Sequence, residues 1–245
     1  MGTEEGASKG TRLEMRGWYR VARSIVGFLL RIVARVRITG WDEIPRQGPF
    51  ILATNHLHWL DSPLVGVIFP RRVSVFAGEK WEKHRLVGPL LRSLGAIFVR
   101  RGEVDRQALR QALEILKAGG VLGMAPEGTR SKTGALQQGR TGAAYLAFRA
   151  GVPILPLAIT GQEKVFPALR RLRRGTVRVA IGAPFYPPQV EGKASGADVE
   201  AFTEEIMYHL AAMAPPEYRG VYHDVADKRP DLVQVYGTDV ISTRS

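Results

Sequence analysis

The sequence predicts a single α/β domain: a mixed, mostly parallel central sheet flanked by helices, with a basic amphipathic helical segment ahead of it. Three observations carry this. The chain has 245 residues, 45% of them hydrophobic, which suffices for one substantial core. From Ile38 onward, short apolar runs alternate with stretches of helical periodicity, the pattern of a sheet covered on both faces. No internal repeat or low-complexity tract breaks that alternation.

Taken in order, residues 1–12 form a polar leader in which no apolar signal-peptide core is evident. Residues 13–37 read as an amphipathic helical segment for a membrane interface. At ~100° per residue, Arg12, Arg16, Arg20, Arg23, Arg31 and Arg35 share a sector of roughly 140°. Trp18, Ala22, Ile25, Leu29, Ile32, Val33 and Val36 occupy the opposite side. Such a helix either packs on the domain with a solvated basic face or lies in a lipid interface with its arginines at the headgroups. Gly17 and Gly27 are points where it could break. The most apolar run here, Ser24–Leu30, is flanked by Arg23 and Arg31 and falls short of the ~20 residues a membrane-spanning helix needs.

The domain proper is expected over 38–214. Phe50–Thr54 reads as a buried strand followed by Asn55 as a helix cap. Val73–Ala77, Ala96–Val99 and Val121–Met124 are further strands. Asp105–Ala118 predicts a helix with Ala108, Leu109, Ala112, Leu113 and Leu116 on one face and Gly119-Gly120 as its stop. Gly142–Ala150 reads as helix. Pro153–Ile159 reads as a strand whose prolines suit an edge or a pocket wall. Val177, Val179 and Ile181 alternate as in a half-buried strand. Val199–Met213 closes the domain with Phe202, Ile206, Leu210 and Met213 on one face. Residues 215–245 read as a polar, irregular tail.

Composition narrows the chemistry. Thirty-five Lys and Arg against 23 Asp and Glu give a net charge of +12 and a pI of about 10.4. That excess favours an anionic partner: a nucleic acid, an acidic membrane or a phosphorylated substrate. The absence of cysteine excludes disulfides, thiolate metal sites and cysteine nucleophiles, and is compatible with a reducing cytosol.

The strongest local feature is Asn55-His56-Leu57-His58-Trp59-Leu60-Asp61, directly after a buried strand, where α/β sheets display reactive side chains. The spacing lets the chain turn and bring Asp61 to His56. The carboxylate would then fix the imidazole tautomer while His56 removes a hydroxyl proton. A capped helix start with an incidental histidine is the plain alternative. A metal site on His56, His58 and Asp61 is a weak one, because no paired histidine completes it. Gly95-Ala96-Ile97-Phe98-Val99-Arg100-Arg101 ends a strand in guanidinium groups suited to phosphate. Ala125-Pro126-Glu127-Gly128-Thr129-Arg130-Ser131 is a turn that gathers a carboxylate, a hydroxyl and a cation. In isolation, either of these two segments reads as an ordinary polar terminus or turn. Gly6-Ala7-Ser8-Lys9-Gly10 matches an esterase pattern but has no strand before it. There is no nucleotide-binding glycine loop and no nucleic-acid module with interleaved aromatics.

Together, the blocks NHLHWLD, GAIFVRR, APEGTRS and VPILPL, in this order over residues 38–187, resemble those of the PlsC-type glycerolipid acyltransferase family. Ala125 stands where an aromatic is common in that family, and Arg100 adds a charge beside the motif arginine. The resemblance implies direct acyl transfer, with His56 as base and Asp61 as its partner. It also implies that Arg101, Glu127, Gly128, Thr129 and Arg130 bind an acceptor phosphate. The acyl donor is expected to be acyl-CoA or acyl carrier protein. The acceptor is expected to be lysophosphatidic acid, with glycerol-3-phosphate, another lysophospholipid or a lyso-aminolipid as alternatives. No cofactor and no metal are expected. The expected setting is an anionic membrane surface on the cytoplasmic face, with no nucleic-acid partner. A noncatalytic basic membrane-binding protein is the competitor from another class.

Overall fold

The computed structural model describes residues 20–241, apart from 22, 86, 94 and 100–104. The leader, the first part of the proposed interfacial helix, and Arg100 and Arg101 therefore lie outside the described residues.

Among the described residues, seven strands form one sheet: β1 (Ala34–Thr39), β2 (Phe50–Thr54), β3 (Val73–Gly78), β4 (Ile97–Val99), β5 (Val121–Met124), β6 (Ile154–Thr160) and β7 (Gly175–Ile181). Their order is β1-β7-β6-β2-β5-β3-β4. Every pairing is parallel except β6 with β7. This is the mixed, mostly parallel sheet that the interleaved pattern predicts. Its helices are α1 (residues 23–33), α2 (Asp61–Ile68), α3 (Val87–Ser93), α4 (Arg106–Lys117), α5 (Gly142–Ala150), α6 (Val165–Leu169), α7 (Gly196–Met213), α8 (Val225–Lys228) and α9 (Pro230–Ile241).

Alternation along β2 sends side chains to two cores. Phe50 and Leu52 join Leu30, Leu64, Val65 and Val165, so that face carries α1, α2 and α6. Ile51 and Ala53 join Ala112, Leu116, Leu146 and Ile206, so the other carries α4, α5 and α7. Strands buried on both faces read as continuous apolar runs, which is why FILAT and ILPLAIT stand out.

Three expectations are corrected. The helix predicted to continue to Val36 stops at residue 33, and Ala34–Thr39 is a strand paired with β7. Ala-Arg-Val-Arg-Ile-Thr fits period 2 as well as it fits a helix face, and pairing along β7 decides between them. The Pro-containing strand β6 is fully buried and lies between β7 and β2. Pro156 is tolerated there because its side of the ladder faces the chain just past the end of β7, where its carbonyl accepts from Gly182 N (3.0 Å). Finally, the C-terminal segment is not irregular. Tyr222, Val225 and Leu232 pack with Met207, Leu210 and Ala211 of α7, and α9 lies against α7.

α1 also divides its apolar residues differently from the projected stripe. Leu30, with Val26 and Val33, packs on the core. Ile25, Phe28, Leu29 and Ile32 are each more than half exposed. Arg23 Nε donates to Val67 O at 3.1 Å, so one of the helix arginines docks α1 against α2.

Candidate active site

β2 and β5 are parallel neighbours, with Ala53 opposite Met124. The loops leaving their carboxyl ends, 55–60 and 125–141, therefore meet at one rim of the sheet. Asn55 does not cap a helix. Its buried amide spans to β6, donating from Nδ2 to Ile159 O and accepting at Oδ1 from Ile159 N, both at 2.7 Å. That pair of hydrogen bonds fixes where the next residue, His56, emerges.

His56 Nδ1 lies 3.0 Å from Asp61 Oδ2. The same oxygen accepts from His58 N at 2.8 Å. Asp61 is 2% exposed and opens α2, where backbone N–H groups favour a carboxylate. A carboxylate on Nδ1 requires the proton there and leaves Nε2 as an acceptor. His56 and Asp61 thus meet as their spacing predicts, with Nε2 left in the form that can accept a proton. His58 sits elsewhere, against Trp59 and Phe166 (ring centroids 5.6 and 6.3 Å), and burial lowers its pKa.

The loop after β5 grips the backbone of His56 from both sides. His56 N donates to Glu127 Oε1 (3.1 Å), and Ser131 N donates to His56 O (2.8 Å). Glu127 Oε2 accepts from Gln137 N and Gln137 Nε2 (3.0 and 3.3 Å). Glu127 is 2% exposed. Burial pushes its carboxyl above the ordinary 4.5, against the lowering effect of the hydrogen bonds it accepts from Gln137 and His56. The structure thus places Glu127 behind His56, while Gly128 and Thr129 line the cleft in front. Gly128 takes φ 71, and a Cβ there would come within 2.7 Å of Arg140 Cδ. Arg130 is exposed.

Sequence reasoning missed Arg140. Its N–H donates to Pro126 O at 2.7 Å, its side chain packs across Gly128, and it lines the same cleft as His56 and Asp61. A cation in Gly-Arg-Thr-Gly, just ahead of α5, was the available signal. The C-terminal segment braces this loop: Leu136 N donates to Tyr218 O (2.9 Å), and Gly139 N donates to the Tyr222 hydroxyl (3.0 Å).

The cleft holds about 1130 Å³. His56 shares this lining with apolar Leu52, Val65, Val75, Phe76, Leu109 and Met124 and with the cation Arg140. A histidine, a cation and an apolar wall in one cleft suit a substrate with a polar reacting end and a long apolar body.

Comparison with known proteins agrees with this geometry. The acyltransferase family model matches residues 35–160. The chain is 22% identical to a 1-acyl-sn-glycerol-3-phosphate acyltransferase of Bacillus subtilis, over 77% of this chain and 92% of that one. It is 36% identical to a lyso-ornithine lipid O-acyltransferase of Pseudomonas aeruginosa, over 54% of this chain and 50% of that one. The crystal structure of the 1-acyl-sn-glycerophosphate acyltransferase PlsC from Thermotoga maritima superposes with a TM-score of 0.60 at 29% identity, covering 84% of this chain and 80% of that one. With the family match spanning just over half of its length and a PlsC fold around the His56–Asp61 pair, the protein belongs to the acyltransferase family and is an enzyme of the PlsC type.

Proposed function

We propose that the protein transfers a fatty acyl group from acyl-CoA or acyl carrier protein to the free hydroxyl of lysophosphatidic acid, giving phosphatidic acid. The observation that carries this reading is the 3.0 Å His56–Asp61 contact in a cleft that apolar side chains also line. Nε2 of His56 takes the hydroxyl proton as the oxygen attacks the thioester carbonyl. The tetrahedral intermediate collapses, the C–S bond breaks, and the thiolate recovers the proton from the imidazolium. Asp61 holds the tautomer and stabilises the imidazolium. Glu127 acts through the His56 backbone and is a positioning residue. Thr129, Arg130 and Arg140, with Arg101, offer donors and positive charge for the acceptor phosphate. Attachment is peripheral, on the cytoplasmic face. The exposed apolar residues of α1 support it, and no described helix is long and apolar enough to cross a membrane.

Thiol release from acyl-CoA with lysophosphatidic acid tests this reading, and a cysteine-free protein adds no background to a thiol-reactive dye. Release should require the acceptor and fall about 10²–10⁴-fold in His56→Ala. Release that survives the substitution removes His56 as the base. The 36% identity to the lyso-ornithine enzyme favours a second reading, a lyso-aminolipid acceptor. Faster release with that acceptor than with lysophosphatidic acid would select it.

A further inference from the structure

Of the two basic segments in the sequence, α1 and Arg170–Arg174, the acyl-transfer reading uses only the first. The second is the turn between α6 and β7. Helix α6 ends with paired backbone bonds, Arg173 N to Ala168 O (3.0 Å) and Leu172 N to Leu169 O (2.9 Å). This C-terminal cap normally places glycine in the left-handed conformation. Here Leu172 takes it, at φ 56. Its side chain is 99% exposed, and the four flanking arginines are exposed as well. A strained, fully solvated leucine is costly in water on both counts.

Topology says where this turn lies. β6 runs parallel to β2 and β7 runs back, so β7 begins at the rim where His56 emerges. β1 is parallel to β7, with Ala34 opposite Gly175, so the end of α1 enters that rim beside the turn. Arg174 Nε donates to Ile32 O at 3.1 Å, joining the two directly. Phe166 of α6 and Trp59 of the His56 loop stack at 5.6 Å, and both are at least 40% exposed. We propose that the α6–β7 turn is a second membrane-docking element, which seats Leu172 among acyl chains and Arg170, Arg171 and Arg173 at anionic headgroups beside α1. The occupant is an anionic lipid bilayer: an apolar tip ringed by cations matches acyl chains beneath negative charge. The proposal rests on the reading of this chain as an enzyme of membrane lipids.

Because the chain has no cysteine, Leu172→Cys carries an environment-sensitive dye at one position only, and a fully exposed site tolerates it. With phosphatidylcholine vesicles containing phosphatidylglycerol, the emission should shift to the blue and be quenched by brominated acyl chains. Unlabelled Leu172→Gly should bind these vesicles about tenfold more weakly. Each of Arg170→Gln, Arg171→Gln and Arg173→Gln should weaken binding about fivefold, an effect lost at high salt. Dye that stays aqueous on added vesicles overturns the proposal. So does a blue shift that grows with protein concentration without vesicles, which would mean a second copy covers the turn. Thiol release by the unmodified protein with a short-chain, monomeric acceptor reports separately on the chemistry. Release without insertion sinks the docking element alone, and insertion without release sinks the enzymatic reading alone.

Discussion

Three donors converge on the two oxygens of Glu127, and the carboxylate has no proton to spare for any of them. An amide at this position would aim its own N–H₂ at one of those donors in either orientation. Glu127→Gln should therefore lower stability by about 1–3 kcal/mol in urea titration despite its equal size. It should also reduce kcat more than KM, because it shifts the backbone of His56. The raised pKa of Glu127 adds a pH signature. A carboxyl whose folded value exceeds its unfolded value holds its proton longer when folded. Its contribution is complete below the ordinary 4.5 and declines as pH rises through the folded value. Wild-type stability should show that decline, and Glu127→Gln should lack it. Asn55 offers a second check. Asn55→Ala leaves Ile159 N and O without their partners in a buried strand and should cost about 2–4 kcal/mol. The sequence makes His56 and Asp61 legible because strand, turn and carboxylate are local. Glu127 is legible as a member of the site but not in the direction it faces. Its partners, two backbone N–H groups and the Gln137 side chain, lie 71 and 10 residues away, and nothing in a turn motif reports on those.

At the level of elements, what the pattern misjudged follows from neighbours. The period of Ala34–Thr39 is ambiguous until β7 is beside it, and arginines at 35 and 37 extend the apparent helix face. Pro153, just ahead of β6, and Pro156 within it argue for an edge, since a missing N–H is seldom tolerated inside a sheet. Only the position where β7 stops shows that no acceptor there waits for an N–H from residue 156. By contrast, α4 was legible from Asp105 onward, because its cap is local: Asp105 Oδ1 accepts from Gln107 N and Ala108 N (3.1 and 3.0 Å). The turn after α6 yields a prediction of opposite signs. Leu172→Gly relieves the left-handed strain and should raise stability by up to about 1 kcal/mol. Chemical denaturation would read that gain while vesicle binding falls. A loss of stability instead would mean that the leucine makes a contact stabilising the fold.

Across the whole molecule, the C-terminal segment reaches His56 through a chain of braces. Tyr218 and Tyr222 hold the 131–140 loop, that loop supplies Gln137 to Glu127, and Glu127 holds His56. Gly220 sits so close that a Cβ would approach Leu136 O to 2.0 Å. Ending the chain after Met213 should therefore cost more than about 4 kcal/mol, because Tyr222, Val225 and Leu232 leave their cluster. Acyl transfer should be lost with it, although no residue lining the cleft is removed. Denaturation midpoints and thiol release on the same preparation would test both. The segment was illegible because its apolar residues find their surface only in the folded chain, on α7, Ala158 of β6 and Leu136 of the loop after β5.

One reversed strand, β7, gathers the site, α1 and the exposed turn along a single rim. On the proposed docking, acceptor reaches His56 by lateral diffusion within a leaflet, and the encounter is two-dimensional. Velocity would then follow the mole fraction of acceptor in the surface, so diluting it with inert phospholipid slows the reaction at constant bulk concentration. Adding more vesicles of unchanged composition, once all the protein is bound, leaves the rate where it was.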